Sequence, residues 1–255
     1  MIVGERSLPC YILESVMKSV VIHAEGNVCV EDRPEPQLQH EDEVKVRVVS
    51  SGLCGSDIPR IFANGAHYYP ITLGHEFSGY VEACGPAVTD LHTGDAVACV
   101  PLLPCFDCPA CHREYYSLCK RYQFIGSRCD GGNAEYIVVK RPNLVRLPAD
   151  LPIEDGAFIE PITVGLHAFH LAGGCKDRNV VIVGAGTIGL LAMQCARALG
   201  ARSVTAIDIN PEKLALATAL GATRTFNSRE QSAADILAGL EAECFDQLVL
   251  ETAGT

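Results

Sequence analysis

The sequence lacks any run of 18 or more apolar residues, which a helix would need to cross a bilayer. Residues 1–16 also lack the basic segment and following apolar segment of a secretory signal. Basic side chains are few, since 20 Lys and Arg stand against 31 Asp and Glu, for a formal charge of −11. An acidic surface repels phosphate backbones. We therefore expect a cytoplasmic protein with neither a membrane span nor a nucleic-acid partner.

Cysteine is abundant, with 13 residues, an odd number. In a reducing compartment, clustered cysteines are typical of metal ligands rather than of disulfides. Four of them have the spacing C-x2-C-x2-C-x7-C, at Cys105, Cys108, Cys111 and Cys119. Four thiolates on one short loop suit a closed tetrahedral zinc site of structural type. An iron–sulfur cluster is the alternative that the spacing leaves open.

Local patterns divide the chain into an extension and two domains. Residues 1–16 match nothing that follows, and Met17 is the expected natural start. Residues 17–158 consist of short apolar runs between Gly, Pro and Asp turns, which is typical of a β-rich domain with long loops. Within that domain, residues 101–122 form the expected zinc lobe.

Residues 159–255 alternate strands with helices, and this alternation predicts a parallel sheet with crossover helices. The segment from Asp155 to Leu171 is expected to be a single helix. Only four strands are expected in this domain, whereas a complete doubly wound dinucleotide fold has six. We therefore expect an incomplete Rossmann-type domain that is cut short after its fourth strand.

The motif G-A-G-T-I-G at residues 184–189 follows an expected strand and begins an expected helix. The glycines allow a tight turn, close approach of a pyrophosphate and close helix packing, and the helix N-terminus favours the phosphate charge. Asp208 ends the next strand, where a carboxylate accepts hydrogen bonds from the adenosine ribose and repels a 2′-phosphate, which favours NAD over NADP. Taken alone, Asp208 fits a helix N-cap equally well. The expected cofactor contacts are Gly184, Gly186, Thr187, Ile188, Gly189, Asp208 and Lys213.

Three further segments each carry one candidate metal ligand. They are SGLCGSD with Cys54, GHE with His75 and IEP with Glu160. Spacing does not join them, because they lie far apart in the chain. Taken singly, a core cysteine, a loop histidine and a surface glutamate explain them as well.

Together with the glycine loop and the cysteine lobe, these segments resemble the zinc-dependent medium-chain dehydrogenase/reductase family. The resemblance extends from about Met17 to Thr255 and includes LGHEFSGYVEACG, HTGDAVACV and DGGNAEYIVVK. It implies a GroES-like catalytic domain followed by a Rossmann domain. It also implies an NAD-dependent oxidoreductase with two zinc ions per chain.

The resemblance implies roles for particular side chains. Cys54, His75 and Glu160 would hold a catalytic zinc with one open position, and Glu76 is the alternative to Glu160 as third ligand. Asp57 would accept a hydrogen bond from His75 and so select its tautomer. The catalytic set implied is Cys54, Ser56, His75, Glu76 and Glu160.

One departure from the family concerns the proton path. Ser56 would take the substrate proton, but Pro59 and Arg60 follow where the family often has a histidine, so we expect the proton to leave through water. If the substrate carries a phosphate, basic groups must bind it. Arg60, His67 and Arg128 are the candidates for that role.

In finer detail, PRIFANGAHYYPITLGHEFSGY and DGAFIEPITVGLHAFHLA resemble polyol-phosphate dehydrogenases more closely than sorbitol or threonine dehydrogenases. The expected reaction is oxidation of galactitol 1-phosphate to tagatose 6-phosphate by NAD, in an enzyme that forms a homodimer or homotetramer when full length. A sorbitol/L-iditol or L-threonine dehydrogenase is the alternative within the family. A zinc-stabilised nucleotide-binding fragment without turnover is the alternative from another class.

Overall fold

A computed structural model describes residues 15–63, 65–241 and 246–254, so the extension expected at residues 1–16 lies almost wholly outside the described part. The fold divides into two compact units, with the boundary between Ala157 and Phe158. Among the described residues, no helix combines the length and apolar character needed to cross a membrane.

The first unit is built mainly of antiparallel strands. Its strands are β1 (Val16–Ala24), β2 (Asn27–Pro34), β3 (Glu43–Ser51), β4 (Ile71–Thr72), β5 (Phe77–Cys84), β6 (Ala96–Cys99), β7 (Leu102–Leu103), β8 (Gln123–Phe124), β9 (Tyr136–Lys140) and β10 (Leu144–Arg146). Its one described α-helix is α1 (Asp57–Phe62), and short 3-10 segments occupy Cys111–Arg113, Tyr116–Leu118 and Arg141–Asn143. A further 3-10 segment, Ile153–Phe158, lies at the unit boundary and includes the first residue of the second unit.

Two sheets organise this unit. A five-stranded sheet has the order β10-β6-β5-β3-β9, and a three-stranded sheet has the order β2-β1-β4. The larger sheet encloses an apolar core to which Val44 and Val46 of β3 contribute, with Phe77 and Val81 of β5. Alternation along β3 places these valines on the buried face, as expected of a half-buried strand.

Lys45 departs from the alternation that gives β3 its buried face. Arg47 is exposed as the pattern predicts, but Lys45 is only 7% exposed. Its ammonium group pairs with Glu35 and lies 5.2 Å from the ring centroid of Tyr136. A buried charge needs such partners, and they are supplied by Glu35, which precedes β3, and by Tyr136 of the paired strand β9.

The second unit is a parallel sheet with helices between the strands. It consists of α2 (Ile159–Leu171), β11 (Asn179–Val183), α3 (Thr187–Ala198), β12 (Ser203–Asp208), α4 (Pro211–Ala219), β13 (Arg224–Asn227), α5 (Ala233–Glu241) and β14 (Gln247–Glu251). The strand order is β13-β12-β11-β14, and all three pairings are parallel. Strand order reverses between β11 and β14, which is where ligands bind in doubly wound sheets. The predicted α/β fold class, a GroES-like β-rich domain with a Rossmann-type sheet, is confirmed.

The expected single helix from Asp155 to Leu171 is instead two segments. The 3-10 segment Ile153–Phe158 precedes α2, which begins at Ile159. The 3-10 turn is held by Ser78 of β5, whose hydroxyl donates a 2.6 Å hydrogen bond to the carbonyl of Ile153. A Cβ on Gly156 would lie 2.7 Å from the Cβ of Ser78, so the close packing requires glycine. Tertiary packing therefore sets the start of the helix.

Candidate active site and metal centres

The four lobe cysteines lie together on the loop between β7 and β8, which pair and close its base. Their sulfurs all lie within 4.8 Å of one another. Sγ of Cys111 is 3.5 Å from Sγ of Cys108 and 3.9 Å from that of Cys105. Ligands about 2.3 Å from a tetrahedral zinc lie roughly 3.8 Å apart, so the spacing fits zinc and is far too long for a disulfide. With Cys119 as the fourth ligand, the site is closed.

Hydrogen bonds from backbone N–H groups lower the pKa of two of these thiols. The N–H of Asp107 lowers the pKa of Cys105 to about 6, and the N–H of Cys111 lowers that of Cys108. Phe106, with φ of 55°, makes the left-handed turn in the chain between Cys105 and Asp107. Burial raises the pKa of Cys111 to about 11, so its ionisation requires a cation. The lobe is thus suited to Zn²⁺, which binds thiolates.

A second cluster joins Cys54, His75 and Glu76, whose ligand atoms lie within 4.8 Å of one another. Cys54 follows the end of β3, whereas His75 and Glu76 precede β5. These strands are antiparallel neighbours, and the pairing of Ser51 with Phe77 brings the two segments to one end of the sheet. His75 and Glu76 are buried and Cys54 is half-buried. Sulfur, nitrogen and oxygen donors with room for another ligand are typical of a catalytic zinc site.

The electrostatics of this cluster also fit a divalent cation. Burial raises the pKa of the Cys54 thiol, hydrogen bonds from Ser56 oppose that rise, and the charges of Glu76 and Asp57 add to it. A coordinating metal deprotonates such a thiol. Nδ1 of His75 is buried and has no hydrogen-bond partner among the described residues. The residues present therefore fit zinc.

Glycine permits the close contact between the two segments. The N–H of Gly52 donates a 2.7 Å hydrogen bond to the carbonyl of Glu76, and a Cβ on Gly52 would overlap the Glu76 carboxylate. Gly74, with φ of 101°, turns the chain immediately before His75. The ring of Phe124 packs edge-to-face on the imidazole of His75, with centroids 5.5 Å apart. Neither Gly52 nor Phe124 bears a ligand atom, so their roles at the cluster could not be predicted from the sequence.

A hydrogen-bond network around Asp57 supports the cluster. The fully buried carboxylate accepts hydrogen bonds from Arg60 at 3.1 Å and from the N–H of Cys54 at 3.3 Å. The hydrogen bond predicted between His75 and Asp57 is absent, since Nδ1 and Oδ1 are 3.9 Å apart and Arg60 occupies that oxygen. Arg60 also donates to Oγ of Ser56 at 2.7 Å, and this hydroxyl lies 3.3 Å from Sγ of Cys54.

The glycine motif of the second unit lies between β11 and α3, where a dinucleotide pyrophosphate would bind. Gly184 has φ of 96°, and a Cβ on Gly189 would overlap the carbonyl oxygen of Gly184. Gly186 faces open space, so that the backbone is accessible to a ligand. Thr187 and Ile188 begin α3. A cavity of about 290 Å³ lies here, and its lining includes Gly184, Gly186, Asp208, Lys213, Ser228 and Thr252.

Asp208 is the last residue of β12, and both of its carboxylate oxygens accept hydrogen bonds. One oxygen accepts from the N–H of Ala185 at 2.7 Å and the other from the N–H of Asn210 at 2.8 Å. Burial alone would raise the pKa of Asp208, but these donors and Lys213 outweigh it, so the pKa is lowered. The N-cap of α4 is Asn210, whose side chain accepts from the helix N–H groups. Asp208 is therefore an ionised carboxylate beside the glycine loop and not the helix cap.

The predicted roles of the site residues stay predictions, and four of these residues lie outside the groups described above or are held by other contacts. Glu160 lies in the first turn of α2 in the second unit, and its role as a zinc ligand stays a prediction. Arg60 is held by Ser56 and Asp57, as described above. His67 is exposed, and the guanidinium of Arg128 stacks 4.5 Å from the ring centroid of Tyr122. Phosphate binding by these three basic residues also stays a prediction.

A β-rich unit with a four-cysteine lobe and an open Cys/His/Glu cluster, followed by a dinucleotide-type sheet, defines the class of zinc-dependent dehydrogenases. Matches to known protein families support this class. The alcohol dehydrogenase GroES-like domain matches residues 40–149, and the zinc-binding dehydrogenase family matches residues 187–255. The chain belongs to this family of zinc-binding, alcohol dehydrogenase-like enzymes.

Individual members of this family show how similar the chain is to particular dehydrogenases. The chain is 68% identical over 238 residues to galactitol 1-phosphate 5-dehydrogenase of Escherichia coli (strain K12), covering 93% of this chain and 69% of that protein. The crystal structure of galactitol-1-phosphate dehydrogenase from Escherichia coli matches with a TM-score of 0.90, over 93% of this chain and 69% of that one. Sorbitol dehydrogenase of Bacillus subtilis (strain 168) is 34% identical over 244 residues, which cover 93% of this chain and 69% of that protein. The predicted enzyme class and its zinc and NAD cofactors are confirmed.

Proposed function

We propose that this protein oxidises galactitol 1-phosphate at carbon 5, giving tagatose 6-phosphate, with NAD as the hydride acceptor. The observation that carries the proposal is the convergence of Cys54, His75 and Glu76 into one group of potential metal ligands. The choice of substrate is supported by 68% identity to a galactitol 1-phosphate 5-dehydrogenase, against 34% to a sorbitol dehydrogenase. A nucleotide-binding fragment without turnover would have no use for an open metal site.

The third protein ligand of this metal site is a carboxylate. Glu76 is supported by its position beside Cys54 and His75, and Glu160 by the family resemblance. We keep Glu160 as the ligand and Glu76 as the carboxylate that approaches the metal. Zinc analysis of Glu76→Gln and Glu160→Gln variants separates them: Glu160→Gln is expected to lose one zinc equivalent, and full retention would make Glu76 the ligand.

The chain's own residues hold and move the substrate proton. When bound, zinc would supply Lewis-acid polarisation of the substrate hydroxyl, and NAD would accept the hydride. Ser56 is exposed and its Oγ lies 3.3 Å from Sγ of Cys54, so its hydroxyl is placed to take up a proton at the cluster. Arg60 donates to that same oxygen and has no acceptor of its own, so it orients Ser56 without taking the proton. The proton therefore passes from Ser56 to solvent.

Asp208 determines the choice of dinucleotide. Its carboxylate lines the cavity of the glycine loop and is ionised because backbone N–H groups stabilise the charge. A negative charge at this position repels the 2′-phosphate of NADP. Lys213, which lines the same cavity, attracts the cofactor's phosphates.

An NAD-coupled assay tests the substrate. Galactitol 1-phosphate, free galactitol, sorbitol and L-threonine are compared at equal concentration by following NADH absorbance. Hydrogen bonds to a charged group contribute about 1.5–3 kcal/mol each, so kcat/KM for the phosphorylated polyol should exceed that for free galactitol by roughly 10-fold or more. Equal or greater turnover of sorbitol would support the sorbitol-type alternative. The absence of turnover with all four compounds would support the fragment without activity.

We also propose a cytoplasmic location and a homodimeric or homotetrameric assembly of the full-length protein, with no nucleic-acid partner. The acidic composition, with its formal charge of −11, supports the last point. Light scattering coupled to size-exclusion chromatography measures the assembly, and a monomer at micromolar concentration would contradict this expectation.

A further inference from the structure

Three metal-binding side chains lie together on the hairpin formed by β1 and β2. They are His23, Cys29 and Glu31, and one ligand atom of each lies within 4.8 Å of the other two. None of them belongs to the cysteine lobe or to the Cys54 cluster. The proposed dehydrogenase reaction uses none of them, so the group needs its own explanation.

The backbone of the hairpin creates this arrangement. Cys29 and Glu31 are two residues apart on β2 and therefore share one face of the strand. On β1 the register shifts between Ile22 and Ala24, so that His23 is the extra, unpaired residue of a bulge. Bulges redirect a side chain relative to the regular pleat. His23 thereby lies beside the two ligands of the neighbouring strand.

The contacts centre on one carboxylate oxygen. Oε2 of Glu31 is 2.8 Å from Nε2 of His23 and 3.7 Å from Sγ of Cys29. A histidine–carboxylate pair on an exposed hairpin contributes little to stability and does not require a thiol. Nitrogen, sulfur and carboxylate donors together suit Zn²⁺, which commonly takes three protein ligands with water in the fourth position. The charges of a thiolate and a carboxylate also neutralise those of the ion.

We propose that His23, Cys29 and Glu31 form a third Zn²⁺ site, separate from the structural and catalytic zinc sites. The side chains of His23 and Glu31 are 38% and 34% exposed, so solvent reaches the group and can fill the remaining coordination position. Binding replaces the thiol proton of Cys29, which passes to solvent.

Metal analysis of the whole chain tests this site. The wild type, Cys29→Ser and His23→Gln are each equilibrated with excess Zn²⁺, freed of unbound metal by gel filtration and analysed by plasma mass spectrometry. Each variant is expected to hold one zinc equivalent fewer than the wild type, whatever the occupancy of the other two sites. Because the result is a difference, it does not depend on the proposed function. Equal zinc content in the wild type and both variants would overturn the proposal.

A matched control and a second readout make the test specific. Asp32→Asn changes the neighbouring residue of β2, which pairs with Lys18, and should keep the full zinc content. In Co²⁺-substituted protein, Cys29→Ser should remove part of the sulfur-to-cobalt charge-transfer absorbance. If serine at position 29 impairs folding, His23→Gln and Glu31→Gln provide the same comparison. An unchanged cobalt spectrum in these variants would contradict the site.

Discussion

The cysteine lobe and the Cys54 cluster of the first unit differ in how the chain assembles them. The lobe takes all its ligands from residues 105–119 of one loop, which is closed by the pairing of β7 with β8. The side chains of the Cys54 cluster come from two loops, which meet because β3 and β5 are neighbours in a sheet. The first arrangement is a local property of the loop, and the second depends on the whole sheet.

The two centres also differ in electrostatics. Backbone N–H groups lower the pKa values of Cys105 and Cys108 in the lobe, whereas burial raises the pKa of Cys54. The thiols of Cys105 and Cys108 thus ionise more readily than an ordinary cysteine thiol. Burial opposes ionisation of Cys54, so metal binding at this site is coupled to proton release. The comparison indicates that the lobe supports structure and that the cluster supports chemistry.

The largest expected effect is on stability, from Cys108→Ser in the lobe. Structural zinc contributes roughly 10–16 kcal/mol in small zinc domains, so loss of a ligand should remove one zinc equivalent and lower the free energy of unfolding by several kcal/mol. Chemical denaturation and zinc analysis measure both quantities. Cys84→Ser, at a half-buried cysteine outside every metal cluster, is the control and should retain the metal. Equal free energies of unfolding for the two variants would contradict a structural role for the lobe.

For His75→Gln in the Cys54 cluster we expect a large loss of activity and only a small loss of stability. Loss of an outer partner of a metal costs about 10–100-fold in activity or affinity, and loss of a ligand should reduce kcat/KM by at least that much. The variant should also lose one zinc equivalent, but its free energy of unfolding should fall far less than that of Cys108→Ser. His92→Gln is the control, since that side chain is 75% exposed. A large fall in the free energy of unfolding without loss of zinc would contradict a catalytic role for the Cys54 cluster.

A third variant, Ser56→Ala, separates metal binding from proton transfer within the cluster. A positioned acid–base group typically contributes 10²–10⁴-fold, so we expect kcat to fall on the order of 100-fold or more while zinc content is unchanged. Ser56→Thr retains the hydroxyl and should recover part of the activity. Unchanged turnover in Ser56→Ala would remove this residue from the proton path.

The smallest expected effect concerns the second unit. Asp208→Asn should reduce the preference for NAD over NADP by about 10-fold, because the charge that repels the 2′-phosphate is lost.

The pKa of Asp208 is lowered, so the carboxylate stays charged above the ordinary value of about 4 and loses its charge only as pH falls through the lower folded value. The preference of the wild type should therefore be constant from about pH 5 upward. Ratios of kcat/KM for the two cofactors measure it, with Asp150→Asn, at an exposed carboxylate, as the control. A preference that is unchanged in Asp208→Asn would contradict the assignment.

Local features of the molecule could be predicted from the sequence. The glycine loop lies between a strand and a helix, as expected. Contacts that cross the fold were missed or wrong. The start of α2 depends on the hydrogen bond of Ser78 to Ile153, which lies far from it in the chain. The burial of Lys45 depends on Glu35 and Tyr136, which belong to other segments than β3. Periodicity and motif spacing carry no signal for such contacts.

By itself, the sequence determined the closed cysteine lobe, the dinucleotide turn and the alternation of strands and helices, because each depends on residues within a few turns of one another. Only the tertiary structure brought Cys54 beside His75 and Glu76, through the pairing of β3 with β5 and the contact that Gly52 allows. It also decided that Arg60, and not His75, bonds to the buried carboxylate of Asp57. The physical reason is that ligand atoms from distant segments meet only after strand register and packing have set their positions.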